Sequence, residues 1–166
     1  IGGYKAHPSG PVEFDLEVHQ AVRDAVGPEY VLMSDPVGEY TMGDAVRVGR
    51  QLEKLGYKWF EEPFRDFELY KYQELCRTLD IPIAGTETTR GCHWGVAQVI
   101  AQRAADIVRA DVSWKDGITG TLKIAHMAEA FGMNCEIHTT TMNYMDLVNV
   151  HVSCAIRNCE YFEYFV

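Results

Sequence analysis

Asp35, Glu61 and Glu87 each close an apolar run, and they follow one another at intervals of one βα unit, roughly 25 residues. The clearest case is Tyr57-Lys58-Trp59-Phe60-Glu61-Glu62-Pro63, an apolar and aromatic run that ends abruptly in two acids. Pro63 stops a strand from continuing past them. At neighbouring strand mouths, three carboxylates could not all stay ionised without a cation. Oxygen ligands with no Cys or His among them suit a hard divalent ion, Mg²⁺ before Mn²⁺, with positions left open for water or substrate. The bland alternative is that each acid caps a following helix or sits solvated in a loop. It accounts for one such residue more easily than for three in phase.

The rhythm continues with different chemistry at Asp111, His138 and Glu163, each closing an apolar run. Asp111 and His138 come from consecutive expected strands and are placed to form a dyad, the carboxylate orienting the imidazole and raising its basicity. Such a histidine takes or returns a proton near neutral pH. Lys5 and His7 alternate onto one face of the opening strand, where they would present positive charge to a metal-bound anion across a barrel from His138. Glu62 reads either as a supporting acid or as a surface residue before Pro63, and Lys115 either as a mouth-lining cation or as an exposed loop residue. His19, His93, His126 and His151 fall on expected helices or helix starts and read as structural.

The elements that must position these groups alternate along the chain. A strand opens at Ile1 and leads to Lys5 and His7, then Pro8-Ser9-Gly10-Pro11 is loop. Helical spacing runs from about Asp15 to Val26, ended by Gly27-Pro28, and Tyr30-Val31-Leu32-Met33 is the strand that stops at Asp35. A helix from about Met42 to Leu55 carries Ala45, Val48, Leu52 and Leu55 on one stripe. Tyr72, Leu75 and Leu79 mark the next helix, and Ile81-Pro82-Ile83-Ala84 the next strand. Trp94 to Ala101 is helical, and Asp106 to Ala110 returns as a strand to Asp111. Gly117 and Gly120 bracket the turn into a helix closed by Gly132, Met133 to Ile137 leads to His138, and Leu147, Val150 and Cys154 mark the last helix before Tyr161-Phe162.

Strands and helices in this alternation predict parallel pairing with right-handed crossovers. An open doubly wound sheet collects ligands at one switch point, whereas here every strand end carries a polar group. The expected fold is therefore α/β, a (β/α)8 barrel present as about seven strands with the first stave missing before Ile1.

Composition narrows the function. The chain has 166 residues, 47% hydrophobic, enough for one domain with a sizeable core. A net charge of −9 argues against nucleic acid or an anionic membrane as partner, since both need clustered Lys and Arg. Five cysteines without a Cys-x-x-Cys pair suggest neither a disulfide framework nor a zinc ribbon, and fit a reducing, cytoplasmic setting. No apolar run approaches a membrane span and no signal peptide is visible.

Taken in order, the motifs resemble the barrel domain of the enolase superfamily, mandelate racemase subgroup, over nearly the whole chain. The marks are Lys5-Ala6-His7 where the subgroup has Lys-x-Lys, Asp35, Trp59-Phe60-Glu61-Glu62-Pro63, Thr86-Glu87-Thr88, Asp111 with Lys115-Asp116-Gly117-Ile118-Thr119-Gly120, His138, and Tyr161-Phe162-Glu163. Singly these are weak; their order and spacing together are specific. The resemblance implies that residues 1–166 are a partial C-terminal barrel domain whose N-terminal capping domain, the main source of specificity, is absent from this chain. It implies Mg²⁺ on Asp35, Glu61 and Glu87 binding a substrate carboxylate, and proton removal from the adjacent carbon to give an enediolate. By analogy Asp111 and His138 are the acid/base dyad, Glu163 donates or shares a hydrogen bond with the carboxylate, and Lys5 helps neutralise it. A homo-oligomer is also implied.

His7 departs from the subgroup, standing where the racemase has its second lysine, and Val37 departs where members often have a polar residue. Two-base racemisation is thereby weakened and one-base syn elimination favoured. The expected activity is dehydration of an acid sugar to a 2-keto-3-deoxy acid. A racemase or epimerase of 2-hydroxy acids is the alternative, and a non-catalytic metal- or ligand-binding relative a further one.

Overall fold

The structure, a computed structural model, describes residues 2–8, 10–139 and 144–164. Ile1 and Ser9, which the expected opening strand and loop include, lie outside the described residues. The chain divides into two compact units, Ile1–Ala84 and Gly85–Val166.

In the first unit, β1 (Tyr4–Ala6), β2 (Leu32–Ser34), β3 (Phe60–Glu61) and the start of β4 (Ile83–Gly85) pair in chain order and in parallel, with Ala6 opposite Ser34, Ser34 opposite Phe60 and Glu61 opposite Ala84. The crossovers are α1 (Val12–Val26), α2 (Met42–Lys54) and α3 (Leu69–Thr78). Leu32, Val48, Leu52, Phe60, Leu75 and Ile83 fill the space between sheet and helices. At the start of α2, Thr41 caps by accepting from the Asp44 N–H (3.3 Å). Within α2, Gly49 makes room for Leu79: a Cβ there would lie 2.2 Å from Leu79 Cδ1, and that side chain would have to shift. The end opposite the candidate site is tied by buried Arg23, which donates to the carbonyls of Gly27 (2.7 Å), Tyr30 (2.7 Å) and Leu55 (2.8 Å). Barrel folds separate a stabilising end from a catalytic end in this way.

In the second unit, β5 (Ile107–Ala110) and β6 (Asn134–Ile137) pair in parallel through all four residues of each, Arg109 facing Glu136 and Ala110 facing Ile137. Helices α4 (Cys92–Ala101), α5 (Gly117–Ala130) and α6 (Tyr144–Ala155) alternate with them. Val108, Ala110, Cys135 and Ile137 point into a core with Ile100, Ile124 and Ala128. Strand alternation then sends Arg109, Asp111, Glu136 and His138 to the other face. The turn into α5 carries positive φ at Asp116 (65°) and Gly117 (70°), and a Cβ on Gly120 would stand 1.9 Å from the Lys115 carbonyl oxygen.

Among the described residues six strands alternate with six helices, and the strand pairs within each unit are parallel, the alternation expected of a (β/α)8 fold. The seventh expected strand, at Tyr161-Phe162, is a single parallel bridge between Ile137 and Phe162. Several helices begin earlier than periodicity indicates. In α1 the first turn exposes Glu13 and Phe14 and buries the polar Asp15, which leaves no apolar stripe to read. No helix among the described residues is long and apolar enough to cross a membrane.

Candidate active site

In the first unit, the ends of three strands bring Lys5, His7, Asp35 and Glu61 together. The Lys5 ammonium lies 3.1 Å from Asp35 Oδ2 and 3.1 Å from Glu61 Oε2, and His7 Nδ1 lies 3.5 Å from the same Asp35 oxygen. Asp35 is 3% exposed and Glu61 fully buried. Trp59, two residues before Glu61 and so on the same face, donates its indole N–H to Glu61 Oε2 (2.9 Å). Burial, and then the Glu61 charge beside it, push the Asp35 carboxyl above the usual carboxylate range against the opposing pull of Lys5 and His7. Two buried carboxylates on one ammonium are under-compensated, and an all-oxygen donor pair of this kind fits a hard divalent cation.

The backbone is strained beside these acids. Val37 has φ 55° and Glu62 φ 35°, both left-handed in residues other than glycine, and Val37 is β-branched as well. The turn this produces lets the Val37 N–H donate to Asp35 Oδ1 (3.2 Å) and the Gly38 N–H to the Glu62 carbonyl (2.6 Å). Val37 thus serves the Asp35 carboxylate through its backbone, so its apolar side chain costs that contact nothing. Glu62 is buried at the same turn rather than solvated.

In the second unit, Asp111 and His138 form the expected dyad. His138 Nδ1 is 2.6 Å from Asp111 Oδ2, and because a carboxylate only accepts, Nδ1 carries the hydrogen. The other Asp111 oxygen accepts from the N–H groups of Ser113 (2.6 Å) and Trp114 (2.8 Å), which fixes the carboxylate plane. His138 Nε2 faces Glu87 Oε1 at 3.3 Å, and the Trp114 ring packs 5.1 Å from the imidazole centroid. Glu87 therefore lies beside the dyad. Lys115 is buried and donates from Nζ to the Thr89 carbonyl (2.5 Å), so it braces the loop after Glu87. Glu163 pairs with Arg109.

Three contributors were not read from the sequence. Arg109 and Glu136 sit within apolar strands, where a charged residue reads as noise. The signal available was parity, since each lies two residues before a group already singled out, Asp111 and His138. Thr86, at φ 84°, donates its hydroxyl to the Arg109 carbonyl (2.7 Å) and accepts from the Arg109 N–H (2.9 Å), standing in for ladder bonds just before Glu87. Nothing in its local sequence announces that.

A family model described as enolase C-terminal domain-like matches residues 1–166. Arabinonate dehydratase from Saccharolobus solfataricus is 35% identical over 147 residues, covering 89% of this chain and 39% of the relative. L-talarate/galactarate dehydratase from Salmonella typhimurium is 31% identical over 166 residues, covering 99% of this chain and 40% of the relative. Among solved structures, D-glucarate dehydratase from Agrobacterium tumefaciens complexed with magnesium matches with a TM-score of 0.92 at 43% identity, over 100% of this chain and 44% of that one. A mandelate racemase/muconate lactonizing protein from Paracoccus denitrificans matches with a TM-score of 0.90 at 29% identity, over 96% of this chain and 45% of that one. The chain spans about two fifths of the length of the curated relatives it matches.

Proposed function

This chain belongs to the enolase C-terminal domain-like family, and from that membership we propose that the intact protein removes the proton alpha to a carboxylate and dehydrates an acid sugar to a 2-keto-3-deoxy acid. The observation that carries the reading is the Asp111–His138 dyad, a 2.6 Å hydrogen bond that leaves Nε2 as the basic nitrogen. The relatives named for dehydration of arabinonate, talarate, galactarate and glucarate support the substrate class.

Asp35, Glu61 and Glu87 are the residues proposed to hold Mg²⁺. When bound, the ion supplies the positive charge that lowers the cost of developing negative charge on a substrate carboxylate. His138 Nε2 takes the α-proton, and the C–H electron pair is delocalised into the carboxylate. The imidazolium so formed, stabilised by Asp111, then gives its proton to the 3-hydroxyl. The C–O bond breaks, water leaves, and the resulting enol tautomerises to the 2-keto acid. Lys5 offsets the same negative charge, and Glu163 contacts substrate from the far strand end. His7, with its side chain 42% exposed next to Asp35, favours a second reading as the opposite base of a racemase or epimerase of 2-hydroxy acids.

The test uses the intact protein with Mg²⁺ and a panel of D-glucarate, galactarate, L-talarate and arabinonate, with Glu61→Gln and His138→Asn as controls. A 2-keto-3-deoxy product from one or more acids, abolished in both variants, is the expected result. Deuterium entering the α-position from heavy water with no loss of water would replace dehydration by racemisation. A protein that binds Mg²⁺ and exchanges no α-proton would refute both.

A further inference from the structure

Resting on the reading above, we propose that Asp15 and Tyr40 are positioning residues for His7: their buried hydrogen bond ties the loop that follows His7 to the loop that follows Asp35, and so sets where the imidazole stands beside the Asp35 carboxylate.

Asp15 lies in the first turn of α1 and is 1% exposed. A buried carboxylate must be met by hydrogen-bond donors, and the donors here reach it from outside the helix. The Gly10 N–H stands 3.0 and 2.9 Å from its two oxygens, and the Tyr40 hydroxyl donates to Oδ2 at 2.7 Å across 25 positions of sequence. A brace for the start of α1 would be complete with Gly10 alone. The second bond reaches a different loop, the one between β2 and α2. Burial, and then the bond to Asp15, push the Tyr40 phenol well above its ordinary range, so it stays protonated and donates.

Tyr40 is anchored independently of that hydroxyl. Its N–H donates to the carbonyl of Pro63 (3.1 Å), two residues after Glu61, and its ring packs on Phe60 with centroids 6.1 Å apart. The hydroxyl therefore extends a fixed point, already joined to the mouths of β2 and β3, to the loop after β1. His7 sits between two restraints. Before it, the Ala6 carbonyl accepts from the Asp35 N–H (2.8 Å); after it, Gly10 is held on Asp15. Between them the partly exposed His7 side chain meets Asp35 Oδ2 at 3.5 Å. A side chain so open to water is not locked by packing, and the held ends of its segment decide its place.

The test is a double-mutant cycle in the intact, Mg²⁺-loaded protein, with the same four-acid panel as probe and Mg²⁺ affinity as the measure of site integrity. Tyr40→Phe keeps the ring and the backbone N–H and deletes only the tie. It is expected to lower kcat/KM by about 3- to 30-fold with Mg²⁺ affinity within about twofold of wild type, and to add less than about twofold on a His7→Gln background. Should Tyr40→Phe not fold, Asp15→Asn, which leaves one acceptor oxygen for two donors, is expected to show the same pattern. Losses that multiply with His7→Gln, a fall in Mg²⁺ affinity as large as the fall in kcat/KM, or a variant within about twofold of wild type would overturn the proposal. The imidazole NMR signal of His7, assigned by its loss in His7→Gln, decides the matter without turnover. A His7 signal displaced in the variant while that of His138 stays in place supports the tie; an unmoved His7 signal, or the two moving together, refutes it. If wild type turns over none of the acids, the functional reading fails while this spectroscopic readout still decides the positioning.

Discussion

Asp111 holds His138 through one carboxylate oxygen, at 2.6 Å, and is itself held through the other by the N–H groups of Ser113 and Trp114. The tautomer of the imidazole is thereby set from the backbone outward. His138→Asn is expected to reduce α-proton exchange by about 10²- to 10⁴-fold, and Asp111→Asn, whose amide N–H₂ can face Nδ1 and reverse the tautomer, by about tenfold or more. Mg²⁺ affinity should survive both. Deuterium incorporation followed by NMR, beside calorimetric titration of Mg²⁺, reads the two quantities separately.

Asp35 and Glu61 are buried on the one ammonium of Lys5, and burial with mutual repulsion raises the Asp35 carboxyl. Glu61→Gln removes a charge from the proposed cation site and should weaken Mg²⁺ by about 10- to 100-fold or more by calorimetry. Chelation should abolish turnover and added Mg²⁺ restore it. Unchanged Mg²⁺ affinity in Glu61→Gln would rule this residue out as a ligand.

The Thr86 hydroxyl makes two bonds to the Arg109 backbone at 2.7 and 2.9 Å. Thr86→Val keeps the volume and loses both, and should lower unfolding stability by about 1–3 kcal/mol in urea titrations. Thr86→Ser keeps the hydroxyl and should stay much nearer wild type. Equal stabilities for the two variants would mean that the hydroxyl carries no weight.

His19 is fully buried, its Nε2 2.8 Å from Ser34 Oγ, and burial brings its imidazole down from 6.5 to about 4 against the opposing pull of Asp15. The folded state keeps this ring neutral at pH values where the unfolded chain already binds a proton. Its effect on stability is therefore absent above about pH 6.5; stability falls as pH drops through the interval, and the loss levels off near pH 4, at about 3 kcal/mol in all. His19→Gln should flatten that part of the stability–pH curve. The measurement is chemical denaturation at a series of pH values, and a variant curve parallel to wild type throughout would remove His19 from the account.

Much of the candidate site was legible from residue order. Asp35, Glu61, Glu87, Asp111 and His138 announce themselves because a strand buried on both faces must be apolar until it reaches its mouth, so a polar group at the end of each run is conspicuous, and the βα repeat sets their phase. Lys5 and His7 follow from strand alternation alone. These are local properties, carried by a few neighbouring residues each.

What only the tertiary structure decided was which of these groups meet, and through whom. Arg109 and Glu163 are 54 positions apart, and Glu136 reaches the N–H groups of Glu160 and Tyr161 from the middle of a strand. Pairing over such distances depends on register and on the path of the intervening α6, neither of which leaves a periodic trace in the chain. The positive φ of Val37, Glu62 and Thr86 was equally hidden, because none is a glycine and the strain is imposed by the strand mouths they border. Alternation says which face a side chain takes; only packing says what stands opposite it, and here that difference separates a row of polar strand ends from a dyad, an ion pair and a latch.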